Sequence, residues 1–285
     1  MNGALPVLLP AAARMTRAAL HERATGSAPW RLHASHGVVL VALFVVGCGI
    51  AQAQAGIGKP SILDTLAKWT PLLAKGFVFN LAISFVAMGI GTFAGFFLGA
   101  AQISLFAPVR GGAWFTTNFF RNAPWLVLLF YCMFLLPFQV TVFGRTVPIP
   151  DWTKATLGLA LPVMANVAEI VRGAIQSIPS TQWEAAASLA FNRRQILWKI
   201  IIPQCVKRML PPWMNLYAIL TMSTVLASIV GVDEMMTQTM RALSAESRPG
   251  LLLAFYSYVL LWFFAYCYPI ARWTVRLESR YAVNQ

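Results

Sequence analysis

At 285 residues, with 58% hydrophobic and only 11% charged side chains and a positive mean hydropathy, the chain is too apolar for a polar surface to cover it, which excludes an ordinary soluble domain. A net charge of +13 leaves two readings, a nucleic-acid binder or a membrane protein whose basic residues gather on one side. Cys48, Cys132, Cys205 and Cys267 lie far apart, with no CxxC pair and no histidine at metal-ligand spacing, so they read as small apolar residues and no cofactor or metal is expected.

The chain opens with a polar arm, residues 1–36, that carries all three histidines, His21, His33 and His36. A helix needs about 20 mostly apolar residues to cross the hydrocarbon layer. Six stretches qualify: residues 37–55, 76–101, 122–139, 153–176, 212–232 and 250–271. The first has a competing reading as a signal peptide, from Arg31, the apolar run after it and the small-residue tail AQAQA. The long lead before it argues for retention as an extra span. The second carries Gly91, Gly95 and Gly99 at the small-xxx-small spacing that lets backbones approach closely, within this chain or against a second subunit. The fourth is the weakest, with Lys154 at one end and Glu169 and Arg172 at the other.

Placing the N-terminus in the cytoplasm puts 15 of the 22 basic residues in cytoplasmic segments, among them Arg14, Arg110, Arg193, Arg194 and Arg276. That split follows the positive-inside rule, so the basicity is accounted for by topology and no nucleic-acid partner is expected. Both termini are then cytoplasmic, and the contacts of the basic loops are with membrane lipids.

The segment IPSTQWEAAASLAFNRRQILWKIIIPQ, residues 178–204, separates the fourth and fifth spans. Thr181 and Glu184 have capping-box spacing, with Pro179 blocking continuation of the preceding span. This predicts a short helix over 182–189, a left-handed turn at Asn192, and a second helix over 193–201 that ends against Pro203.

Here Glu184-Ala185-Ala186, then Ala190, then Ile200, Ile202 and Pro203 resemble the EAA loop of bacterial ABC importer permeases, and every spacing of that pattern is kept. The runs EIVRGAIQSIP (169–179) and NFFRNAPWLVLLF (118–130) resemble the polar amino-acid subfamily. The resemblance covers about residues 72–276. It implies an all-α membrane protein of about six spans with the type I importer architecture: a permease core over 72–276, a coupling loop over 177–211, and a cytoplasmic tail over 277–285. It further implies a cytoplasmic ABC ATPase dimer, a periplasmic amino-acid-binding protein and a second permease subunit, the same or a homologous chain, in a bacterial inner membrane. Glu184, Ala185, Ala186, Ala190, Ile200 and Pro203 are the residues it assigns to ATPase coupling. Two positions depart from the subfamily, which has glycine where Thr181 and Ala190 stand. Alanine disfavours positive φ by about 1 kcal/mol or more, and this is what moves the predicted turn to Asn192.

Arg121, Asn122, Asn166, Glu169 and Arg172 are the polar groups at span ends best placed to meet a zwitterion along a substrate pathway. Glu169 and Arg172 also have the i, i+3 spacing of an ordinary ion pair. No GxxxxGK[ST] phosphate loop is present, so ATP hydrolysis belongs to a partner chain, and no Ser/His/acid set supports an enzyme. The alternative is an ion- or proton-coupled secondary transporter, for which Glu169 is the one acidic group expected near a span.

Overall fold

The computed structural model describes residues 60–142 and 144–281; the arm and the predicted first span lie outside them, as does Cys48. The described chain is helical apart from one hairpin. Helix α1 (Ile62–Gln102) is followed by α2 (Ala107–Asn122), α3 (Trp125–Leu135), strands β1 (Gln139–Val142) and β2 (Arg145–Pro148), and α4 (Asp151–Gln176). Then come α5 (Ser180–Ser188), a single turn α6 (Arg193–Gln195) running through a π-helical stretch Ile196–Ile201 into α7 (Ile202–Ser223), and a 3₁₀ segment Thr224–Val230. Helices α8 (Met235–Glu246) and α9 (Leu251–Tyr281) complete the chain.

Four helical segments among the described residues are long and apolar enough to cross a membrane: α1, α4, the rod Arg193–Val230, and α9. Three expected boundaries change. Helix α1 begins 14 residues before the apolar stretch, capped by the Ser61 side chain on the Asp64 N–H, because Pro71 lies inside the helix without ending it. Helix α9 likewise runs on past residue 271 to Tyr281, since its basic residues carry the helix beyond the apolar window. The predicted third span, 122–139, is an apolar helix of only 11 residues, α3. Pro124 sets the break before it, and the β1–β2 hairpin takes up its last residues, with Gln139 paired to Pro148 and Val142 to Arg145.

The core is built on α1 and α4. Gly91, Gly95 and Gly99 all face α4, where an added Cβ at Gly95 would lie 2.5 Å from the Met164 carbonyl oxygen, and one at Gly99 2.6 Å from that of Ala168. The small-residue stripe therefore serves packing inside the chain, and Ile83, Ala87, Leu159, Val163 and Val167 fill the space around it. Lys154, the charge that weakened the fourth span, is fully buried: Asp151 Oδ1 lies 3.3 Å from its Nζ and the Phe138 ring 3.6 Å. A paired lysine under an aromatic face costs the span far less than a bare one. Cys132, Cys205 and Cys267 are free thiols, Cys205 and Cys267 buried, in keeping with their reading as apolar residues.

Candidate functional site

Two groups of predicted residues converge. The first is the block after α4. Helix α5 starts immediately after Pro179, whose extended backbone (φ −56°, ψ 143°) forms the N-cap and whose carbonyl accepts the Gln182 N–H at 3.1 Å. The Thr181–Glu184 capping box is therefore not formed. A proline with preset φ starts the helix two residues earlier than expected, leaving Thr181 as a helical residue on the exposed side. Glu184 and Ala185 are exposed, and the Glu184 carboxylate makes no hydrogen bond or ion pair with any described residue. Ala186 faces the other way, 4% exposed, in one cluster with Ile178, Ile196, Ile201 and Cys205.

The end of α5 also differs from expectation. Ala190, not Asn192, takes the left-handed conformation, with φ 59°. The Phe191 N–H donates to the Ala186 carbonyl at 3.3 Å and the Ala190 N–H to that of Ala187 at 2.9 Å, which is a Schellman motif with Ala190 at the position glycine prefers. Asn192 stays extended (φ −75°, ψ 159°) because it has another task. Its side chain accepts the Gln195 N–H at 2.9 Å and the Gln195 side chain accepts the Asn192 N–H at 2.9 Å, so the capping box belongs to α6. The strain at Ala190 gives a direct expectation: Ala190→Gly relieves about 1 kcal/mol. A thermal melt of the purified protein should then rise by a few degrees, and an unchanged or lower Tm would contradict the strained turn.

Pro203 does not end the helix that begins at Arg193. The π-helical turn Ile196–Ile201 widens the backbone just before it, so that the rod continues through Ile200 and Pro203 into α7. Arg208, one turn further on, donates to the Ser177 carbonyl at 2.8 Å and to its hydroxyl at 2.9 Å, satisfying the C-cap of α4 and bracing the rod to it.

The second group sits at the break between α2 and α3. Arg121, in the last turn of α2, places Nη1 3.7 Å from Glu169 Oε2 on α4. Arg172 binds the same carboxylate through two nitrogens, Nε at 3.1 Å and Nη2, and reaches Gln176 Oε1 at 2.9 Å. Two guanidiniums thus share one carboxylate, leaving a net positive charge, with Arg121 the more loosely held and 44% exposed. Asn122 and Asn166 do not join them: Asn122 donates to the Asn118 carbonyl at 2.7 Å and Asn166 to that of Pro162 at 2.8 Å, each within its own helix.

Sequence reasoning missed a third polar group. Asn80 of α1 and Glu234, the N-cap of α8, are both fully buried. Asn80 Nδ2 donates at 2.9 Å to Glu234 Oε2 and at 2.9 Å to Thr224 Oγ1, while its Oδ1 accepts the Met235 N–H at 3.0 Å. Burial pushes the Glu234 carboxyl above its ordinary range, opposed by the Met236 and Thr237 N–H groups and by Asn80. Gly76 lets α8 approach, since a Cβ there would meet the Met235 Cα at 2.6 Å. The clue in the sequence was an asparagine inside an apolar stretch, a residue that needs a partner wherever it is buried.

The comparisons with known proteins fit this architecture. A family described as "Binding-protein-dependent transport system inner membrane component" matches residues 87–270. The chain belongs to this family of inner-membrane permeases. Among its relatives, the permease is 34% identical over 212 residues to the probable amino-acid ABC transporter permease protein YckA of Bacillus subtilis, covering 74% of this chain and 90% of the relative. It is 30% identical over 166 residues to the L-cystine transport system permease protein TcyB of the same organism, covering 58% and 68%. Among solved structures, the permease superposes on an amino acid ABC transporter crystallised with histidines at a TM-score of 0.66 and 27% identity, covering 78% of this chain and 99% of the other. The MetNI methionine ABC transporter, at 19% identity and a TM-score of 0.59, shares the fold. These likenesses favour the permease of an ABC importer over an ion-coupled carrier.

Proposed function

We propose that this permease carries amino acids across the bacterial inner membrane as the spanning subunit of an ATP-driven importer. It pairs with a second permease subunit, receives substrate from a periplasmic amino-acid-binding protein, and takes its energy from a cytoplasmic ATPase dimer, since its own sequence offers no phosphate loop. Both termini are cytoplasmic in this reading. The core spans 72–276, the coupling loop 177–211 faces the ATPases, residues 1–36 form an arm, 37–55 an added span, and 277–285 a tail. The observation that carries the substrate class is the likeness to amino-acid permeases across almost the whole of YckA. The shared carboxylate of Arg121, Glu169 and Arg172 agrees with it, because a net positive group beside a helix break suits the carboxylate of a zwitterion.

Uptake of radiolabelled amino acids into proteoliposomes holding permease, ATPase and binding protein tests the proposal. Arg121→Ala removes the charge-assisted hydrogen bond proposed from this side chain to the substrate carboxylate, worth about 1.5–3 kcal/mol, and should lower uptake roughly ten- to a hundredfold. Uptake that needs neither ATPase nor binding protein would overturn the importer. Unchanged uptake with alanine at Asn122, Asn166, Glu169 and Arg172 together would place the pathway elsewhere.

A further inference from the structure

A pocket of about 600 Å³ opens between the α1–α2 turn and the block formed by α5 and α6. Its walls are mostly apolar, from Ala100, Ile103, Leu105, Val109, Trp183 and Leu197. Arg193 and Arg194 also line it, both exposed, and neither guanidinium has an ion pair or hydrogen bond with a described residue. Among the described residues no carboxylate lines the pocket. The start of α2 contributes Phe106 and Val109; the Phe106 N–H is held by the Ser104 hydroxyl at 3.2 Å and Pro108 has none, so the helix start adds only a modest positive potential to that of the arginines.

Two features together select an occupant. Two bare guanidiniums and a helix N-terminus call for an anion. Apolar walls, with Leu105 71% and Phe106 65% exposed, call for a hydrocarbon attached to it. The pocket lies where the apolar length of α1 gives way to Gln102 and Ser104, the level at which hydrocarbon meets head groups, and Trp183 lines it as tryptophans do at that level. We propose that this pocket binds an anionic phospholipid, with its phosphate between Arg193 and Arg194 and an acyl chain along the apolar wall. The proposal rests on the permease reading above, which puts this block at the membrane surface, but its test needs neither transport nor the ATPase.

The test is native mass spectrometry of the detergent-purified permease, stripped and then loaded with phosphatidylglycerol or with phosphatidylcholine. The wild type should keep one phosphatidylglycerol per chain under activation that strips phosphatidylcholine. Arg193→Gln with Arg194→Gln should lower that retention at least tenfold, and Arg193→Lys with Arg194→Lys should restore most of it. Arg145→Gln, on the hairpin, should change nothing. Val109→Glu, at a position 44% exposed and so harmless to folding, should mimic the double glutamine variant by placing a carboxylate beside the arginines. Equal retention of both lipids, or full retention by the double glutamine variant and by Val109→Glu, overturns the proposal. Displacement by millimolar glycerol phosphate would make this a site for soluble anions, and displacement by the purified ATPase would make it a protein contact; either result also overturns it.

Discussion

Replacing Glu184 by lysine should leave a permease that reaches the membrane at wild-type abundance and imports nothing. Glu184 lies on the outward side of α5, away from buried Ala186, and its carboxylate bonds to no described residue, so the substitution removes no contact that holds the fold. Exposed substitutions of this kind usually change stability by less than about 0.5 kcal/mol. A carboxylate kept exposed on a short helix started by Pro179 and closed by a Schellman turn is instead suited to a partner's surface, and reversing its charge turns an attraction into a repulsion of several kcal/mol. Uptake should fall to background and the ATPase should no longer co-purify, while Glu184→Gln, which loses the charge and keeps an acceptor, falls between. Wild-type uptake by the lysine variant, with the ATPase still bound, would remove Glu184 from the coupling surface.

Leucine at Gly95 should prevent folding. The Cβ alone would come within 2.5 Å of the Met164 oxygen and 2.7 Å of the Val167 Cβ, both held by the packed body of α4. Neither can retreat without separating the two helices that form the core, and overpacking costs about 1–3 kcal/mol even for smaller insertions. The variant should be degraded or aggregate, visible as lost membrane abundance by immunoblot. Gly89, two residues before Gly91 on the same helix, has no described residue within 4 Å of its added Cβ. Gly89→Ala should therefore be neutral or slightly stabilising, since alanine favours helix by about 1 kcal/mol. Equal abundance of the Gly95→Leu and Gly89→Ala variants would show that α1 and α4 do not pack through this stripe.

The class of the molecule was legible because it depends on bulk properties, apolar length and charge placement, which no tertiary detail overrides. The spacing of the loop was legible for the same reason, since Glu184, Ala190 and Pro203 are fixed points along the chain. What went astray was decided by competition between neighbours. Thr181 is a good N-cap, but Pro179 with its preset φ won the helix start. Asn192 tolerates a left-handed turn better than alanine, yet its side chain was worth more as the cap of α6. Pro203 reads as a stop, and a π-helical turn absorbs it. Of the five pathway candidates, Arg121, Glu169 and Arg172 come together across α2 and α4, while Asn122 and Asn166 bond back to their own carbonyls, a choice that spacing alone does not reveal. Asn80 and Glu234 stand far apart in sequence, and only the closed fold brings them within hydrogen-bond distance.

The rod from Arg193 to Val230 is wound at three different pitches, π, α and 3₁₀ in turn. Its seven-residue 3₁₀ end advances about 120° per residue where an α-helix advances about 100°, so the chain leaves it turned by roughly 140° from the direction an unbroken α-helix would give. The orientation of Glu234 towards Asn80 therefore depends on this local pitch together with the left-handed turn at Gly231 that follows it. Rewinding those residues to α geometry would swing the carboxylate out of its buried seat and free the start of α8 from α1.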